Sequence, residues 1–268
     1  MNKTIFITGA STGLGKATAL LFANKGWNVI ATMRNPDSGK GLEDHPLIKV
    51  LTLDVTDLEN IKETASKAIE MGVDVVFNNA GYGLVGPLEG ATDEQIVAEI
   101  NTNLLGTIRV TQAFIPYFRE RRTGLFITTT SIGGLVALPF NSIYHATKWA
   151  LEGWSESMRY ELEKFGIGIK TVSPGGIETD FISRSLVMTA HPAYDDLVKQ
   201  VFAGFTDSNS VIKPSTAEQI AEVVYEAATD GKPQLRYVAG EDARQLYKRR
   251  LEVGDELFRK DVEARFFA

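Results

Sequence analysis

The sequence predicts an α/β protein, a doubly wound parallel sheet in a single domain spanning residues 1–268, with helices on both faces. Three observations carry that reading. Short β-branched apolar runs alternate with amphipathic helical stretches almost without a break from Lys3 to Val238. A glycine-rich turn joins the first such run to the first helix. The chain of 268 residues, 44% hydrophobic and 23% charged, is long enough for one large core and shows no internal repeat or low-complexity linker.

The elements follow in order. Lys3 to Ile7 reads as the first strand, Thr8 to Gly15 as the glycine turn, and Lys16 to Lys25 as a helix with Ala17, Leu20, Leu21 and Phe22 on one face. Strands are predicted at Asn28 to Met33, Ile48 to Leu53 and Val73 to Phe77, with a helix over Leu58 to Glu70. A long helix is expected over Asp93 to Arg121, bent near Pro116, where the missing N–H interrupts the ladder. Leu125 to Thr130 and Ile167 to Ser173 are further strands, separated by a helix over Ile143 to Phe165. A helix at Ala217 to Ala228 and a strand at Leu235 to Val238 close the alternation, and crossover helices between strands imply parallel pairing. Residues 179–213 break the pattern and read as a substrate-loop insertion. The tail from Glu241 reads as one or two charged amphipathic helices, with Lys248, Arg249 and Arg250 on the solvated face.

Composition narrows the function. A net charge of −6 argues against binding nucleic acid by phosphate neutralisation. The absence of cysteine excludes disulfide and thiol chemistry. No signal peptide and no membrane span are read, so a cytoplasmic location is expected. His45, His145 and His191 lie far apart in sequence and have no metal-ligand spacing, so no metal is expected; His145 is read as packing or meeting solvent.

Tyr144 and Lys148 carry the chemistry. In Y-H-A-T-K they stand four residues apart, on one helix face, with Ser131 thirteen residues upstream. A tyrosine is a weak acid, and an ammonium beside it favours its phenolate, so the pair suits proton transfer to a carbonyl oxygen. The turn Gly9, Ser11, Thr12, Gly13, Leu14, Gly15 sits between strand and helix, where backbone N–H groups at a helix N-terminus cradle a pyrophosphate. Together these segments read as a carbonyl/alcohol redox site beside a nicotinamide dinucleotide. At the end of the second strand, where an acidic residue would bond a ribose 2′-OH, the chain has Met33 and then Arg34. Arg34 can pair with a 2′-phosphate through its planar fork, which favours NADP(H).

These segments resemble the short-chain dehydrogenase/reductase family in its compact, single-domain, Rossmann-type form, from Thr8 to about Val238. The T-G-x-x-x-G-x-G turn, Asn78-Asn79-Ala80-Gly81, the N-L-L-G segment with Asn103, Ser131, the Tyr144/Lys148 pair and the P-G-x-x-x-T run from Pro174 carry the likeness, in the family's order. The resemblance implies Tyr144 as general acid/base, Lys148 as its partner and a ribose ligand, Ser131 as a donor to the substrate oxygen, and Asn103 as holder of a relay water. It also implies cofactor contacts from Asp54 and Val55, from Asn79, Ala80 and Gly81, and from Pro174, Gly175, Ile177 and Thr179. Asn103 has poor helix propensity, so compensation for it is expected.

Tyr82, Val136, Leu138, Phe140, Gly176, Ile182 and Leu186 are the candidate substrate pocket, with Phe181 and Met188 beside them. They are mostly apolar and bring no clustered cations, which suits a neutral, hydrophobic ketone, aldehyde or secondary alcohol; ordinary core packing explains them equally. The insertion is expected to close as a lid. Homodimers or homotetramers through the two long helices are implied, and the stripe Ile96, Ile100, Leu104, Ile108 is compatible with that or with core packing. The alternative classes are a non-catalytic NADP(H)-binding regulator or redox sensor, and a different reaction on the same scaffold, such as epimerisation or dehydration.

Overall fold

A computed structural model describes residues 2–178, 186–206 and 214–267. Its core is a seven-stranded sheet in the order β3-β2-β1-β4-β6-β7-β11, parallel throughout. The strands are β1 (Thr4–Thr8), β2 (Asn28–Met33), β3 (Ile48–Thr52), β4 (Val75–Asn78), β6 (Gly124–Thr129), β7 (Ile167–Pro174) and β11 (Arg236–Ala239). The order reverses between β1 and β4, and their carboxyl ends open a crevice where ligands bind in such sheets.

Two apolar layers sandwich the sheet. On one face α1 (Gly13–Asn24) and α7 (Ala217–Thr229) pack Leu14, Phe22, Ile220 and Val224 on Ile5, Ile7 and Val172. On the other, α2 (Leu58–Glu70) and α4 (Thr107–Arg121) pack Ile61, Val110, Phe114 and Phe118 on Phe6, Val76 and Phe126. The strands are buried on both faces, so they read as continuous apolar runs rather than alternating ones.

The expected long helix is a composite. α3 (Asp93–Glu99), opened by a capping box on Thr92 and Gln95, passes through a π-helical turn at Ile100–Gly106 into α4. The irregularity therefore falls at Asn103 rather than near Pro116, which α4 accommodates in its interior. The cause lies in side chains: Asn103 is stitched to the backbone of Tyr82 in both directions, and the Thr107 hydroxyl donates to its carbonyl at 2.9 Å.

α5 (Ser142–Leu162) leads into β7. Two short parallel pairs join the later segments to the body. β5 (Gly83–Val85) pairs with β9 (Leu186–Met188), and β8 (Ile177–Glu178) with β10 (Ser215–Thr216). The insertion thus contains α6 (Asp195–Thr206) and returns to the strand that follows Tyr82. The tail α8 (Glu241–Phe267) is two helices broken at Gly254, whose φ of 76° suits glycine. No helix among the described residues is long and apolar enough to cross a membrane.

Candidate active site

The glycine turn sits at the carboxyl end of β1 and packs too tightly on the neighbouring chain for side chains at Gly9 and Gly15. A Cβ on Gly9 would lie 2.8 Å from Ala80 Cα, and one on Gly15 would lie 2.2 Å from Gly9 O. Thr12, at the N-cap of α1, is extended and makes no side-chain cap, and the first turn holds no acidic residue. The first N–H groups of α1 therefore have no capping side chain, as an anion cradle requires. Asn79 braces the turn: its N–H donates to Thr8 Oγ1 at 2.9 Å and its amide donates to the Thr8 and Gly9 carbonyls at 3.2 Å. Ala80 N–H shares the same Thr8 hydroxyl at 3.0 Å.

Arg34 is exposed just past β2, with Met33 buried behind it. Asp54 lies close enough for the Arg34 charge to act on it. Burial pushes its carboxyl up, but hydrogen bonds from the Thr56 hydroxyl and N–H, together with Arg34, hold it below the usual range. Val55 is buried, and its side chain lies where a Cβ on Gly106 would fall. At the far end, Gly175 N–H donates to Ala239 O, and Gly176 N–H to the buried carboxylate of Asp242. Pro174 ends β7 and Ile177 begins β8. Thr179, Phe181 and Ile182 lie outside the described residues.

Ser131 follows β6 and caps a short turn, its hydroxyl accepting from Gly133 N–H at 3.0 Å. Tyr144 and Lys148 project from the first two turns of α5. Lys148 Nζ lies 5.6 Å from the Tyr144 ring centre and donates to Thr129 O at 2.9 Å. Tyr144 is half-buried by surface, with its hydroxyl at the densely packed end. Burial pushes that phenol up to about 12; the Ser131 hydroxyl, donating to it, pulls down, and the charge of Glu99 pushes up. The direction is opposite to the lowering expected from Lys148, because burial is the largest cause. Lys148 itself falls to about 8 through burial, opposed by Glu99 and Glu152. At pH 7 the ammonium form dominates.

Asn103 completes the cluster. Its amide donates to Tyr82 O at 2.7 Å, and its Oδ1 accepts from Tyr82 N–H at 3.0 Å. Those bonds compensate its poor helix propensity. A Cβ on Gly81 would lie 3.0 Å from Asn103 Oδ1 and 3.8 Å from Lys148 Nζ, so glycine is what lets the two groups converge here.

The pocket candidates divide. Tyr82, Leu138, Phe140, Gly176 and Leu186 are half-buried, but Val136 is 0% exposed and packs in a third apolar cluster with Leu135, Ala243 and Phe258. Leu138 borders a cavity of about 330 Å³ lined also by Leu246, Phe258, Val262 and Phe266 from the tail. His145 is buried against Gly133, its Nδ1 accepting from Leu138 N–H at 3.4 Å, and burial lowers it to about 4. It packs, as read, and steadies the loop between Ser131 and Tyr144.

Sequence reasoning missed the carboxylates. Glu99 stands one turn before Asn103, Glu152 one turn after Lys148, and Asp242 beside Gly176; all three are buried. For Glu99 and Glu152 the i±4 spacing to residues already singled out was the available signal; Asp242 carried none.

Comparison with known proteins agrees with this geometry. The family model described as short chain dehydrogenase matches residues 3–187. Human 17-beta-hydroxysteroid dehydrogenase type 1 is 33% identical over 272 residues, covering 92% of this chain and 80% of the relative. A short-chain dehydrogenase from Streptomyces avermitilis has a similar structure, with a TM-score of 0.85, 30% identity and coverage of 98% and 95%. An alcohol dehydrogenase from the archaeon Thermococcus sibiricus, solved with 5-hydroxy-NADP, shows a TM-score of 0.73, 25% identity and coverage of 90% and 97%. With a matching family model over most of its length, and the parallel sheet, glycine turn and Ser-Tyr-Lys cluster in place, the chain belongs to the short-chain dehydrogenase/reductase family of oxidoreductases.

Proposed function

We propose that the chain is an NADP(H)-dependent carbonyl reductase acting on a neutral, hydrophobic ketone or aldehyde, or on the corresponding secondary alcohol in reverse. The convergence of Ser131, Tyr144 and Lys148 beside the glycine turn is the observation that carries this reading. The cofactor would be held by the turn from Gly9 to Gly15, by Asp54 and Val55, by the segment Asn79 to Gly81, by Lys148 and by the residues around Pro174. When bound, it supplies the hydride.

The rest of the chemistry belongs to the protein. Ser131 donates a hydrogen bond to the substrate oxygen and fixes its position. Tyr144 gives its proton to that oxygen as the alcohol forms. Lys148, an ammonium at neutral pH, stabilises the phenolate left behind. Asn103 holds the Tyr82 backbone, and thereby the wall opposite α5. Arg34 supports NADP(H) over NAD(H), as does the NADP analogue in the archaeal structure. The hydroxysteroid activity in the human relative's name supports a hydrophobic substrate. The half-buried stripe Ile96, Ile100, Leu104 and Ile108 supports assembly through the long helices.

The test is cofactor oxidation with a panel of hydrophobic ketones and aldehydes, comparing NADPH with NADH and wild type with Tyr144→Phe. Turnover that prefers NADPH and falls about 10²- to 10⁴-fold in the variant is the expected result. Tight NADPH binding with no turnover on any carbonyl would replace this reading with the regulator.

A further inference from the structure

The buried face of the α3–α4 run holds a carboxyl group for which the reaction above has no use. Glu99 is 0% exposed. Its Oε1 accepts from Leu84 N–H at 3.0 Å and from the Asn103 amide at 3.4 Å. Its Oε2 is fully buried and has no hydrogen-bond partner among the described residues. An ionised carboxylate so placed is strongly disfavoured, whereas the acid form is tolerated. Burial pushes Glu99 up to about 7, against the Leu84 N–H and the charge of Lys148, which pull it down.

Its field also reaches the reacting pair. The titratable groups facing it are Lys148 and Tyr144 on α5 and Tyr82 before β5, and the charge of Glu99 raises all three. β5 faces it with the Leu84 N–H, and its own helix run with the amide of Asn103. Most buried carboxyl oxygens are hydrogen-bonded, so an unpartnered one within reach of a reacting pair calls for an account. Glu99 has an oxygen to spare, and its charge acts on the lysine that serves the proton donor.

We propose that Glu99 is the proton reserve of this site: a positioning residue that, in its acid form, passes a proton towards Lys148 and Tyr144 as each carbonyl is reduced, then refills from solvent. The inference rests on the reductase reading above and deepens it. Each reduction consumes one proton. The Tyr144 O–H bond breaks as the alcohol O–H forms; the Glu99 O–H bond then breaks as the Tyr144 O–H is restored, the proton crossing through a bridging water and Lys148. Glu99 touches none of the reacting atoms and acts through these groups.

Two measurements on the full-length protein decide it, for wild type and Glu99→Gln. The first is an infrared titration without substrate. The wild-type-minus-variant spectrum should contain the carbonyl stretch of a protonated carboxyl group below pH 7 and lose it above, since Glu99 sits near about 7. The second is kcat for reduction against pH. Wild-type kcat should fall above that pH, while the variant is about 10-fold slower and flat, with KM and NADPH affinity unchanged. An active wild type with no such band at any pH, or a variant with the wild-type rate and profile, would overturn the reserve alone. A wild type silent on every carbonyl sinks the reductase reading and the reserve with it. Glu99→Asp restores a titrating carboxyl and should recover a displaced fall in kcat. It stands in if Glu99→Gln does not fold, an unmoved profile then being the overturning result.

Discussion

Glu152 and Glu99 both lie buried within reach of the Lys148 charge, one a turn further along α5 and the other across the site on α3. Glu152, 4% exposed, has every oxygen engaged. Its Oε1 accepts from the Thr130 and Ser173 hydroxyls at 2.5 and 2.9 Å, and its Oε2 from Thr171 at 3.3 Å and from the Arg236 guanidinium at 2.8 Å. Those partners come from β7, from β11 and from Thr130 just past β6, so one side chain ties α5 to two strands of the sheet and to the end of a third. Glu99 has a backbone N–H, a distant amide and an unpartnered oxygen. Burial alone does not separate the two; satisfaction does. The first anchors the helix that presents Tyr144 and Lys148, and the second is left able to change its charge.

That contrast can be broken at several points. Glu152→Leu removes the carboxylate that Arg236 and three hydroxyls share, and should destabilise the fold by about 3 kcal/mol, read by urea denaturation at neutral pH. Glu99→Gln should behave differently. The folded pKa of Glu99 is raised, so the stability tied to its proton is fully present below its ordinary 4.5 and is lost as pH rises through about 7. The variant should therefore gain on wild type across that window by about 3 kcal/mol, and a pH-independent difference would mean that Glu99 does not titrate there. Thr130→Val is the mildest: Ser173 still serves Glu152 Oε1, so a loss of about 1 kcal/mol is expected, and a loss near that of Glu152→Leu would show the network failing as a unit.

Much of this was legible in advance, for identifiable reasons. The strands of a two-face-covered sheet advertise themselves as apolar runs, and the helix over Leu58–Glu70 fell on its expected limits. Tyr144, Lys148 and Ser131 were found because their spacing carries meaning locally. Glu99 was not, because it sits between the apolar Ile96 and Ile100, where a glutamate reads as solvated. The apolar stripe Ile96, Ile100, Leu104, Ile108 is half-buried in the monomer, while the deeply buried positions are its neighbours Glu99, Asn103 and Thr107. Periodicity found the helix but not which of its positions are buried most deeply. The Glu152 network is scattered from Thr130 to Arg236, and only the fold brings it together. The direction of the Tyr144 shift depended on how deeply α5 seats its first turns, which spacing does not encode.

The π turn at Ile100–Gly106 has a consequence for how this chain can change over generations. A helix rotates by about 100° per residue, so losing one residue after Asn103 would let the turn relax to ordinary winding. Val110, Phe114 and Phe118 could keep their places on the sheet, while Glu99 and Asn103 swung away from Tyr82 and α5. Deletions there would yield descendants that fold with a rearranged site. In this stretch of sequence, a change in chain length alone would alter the site, even with the identity of every remaining residue kept.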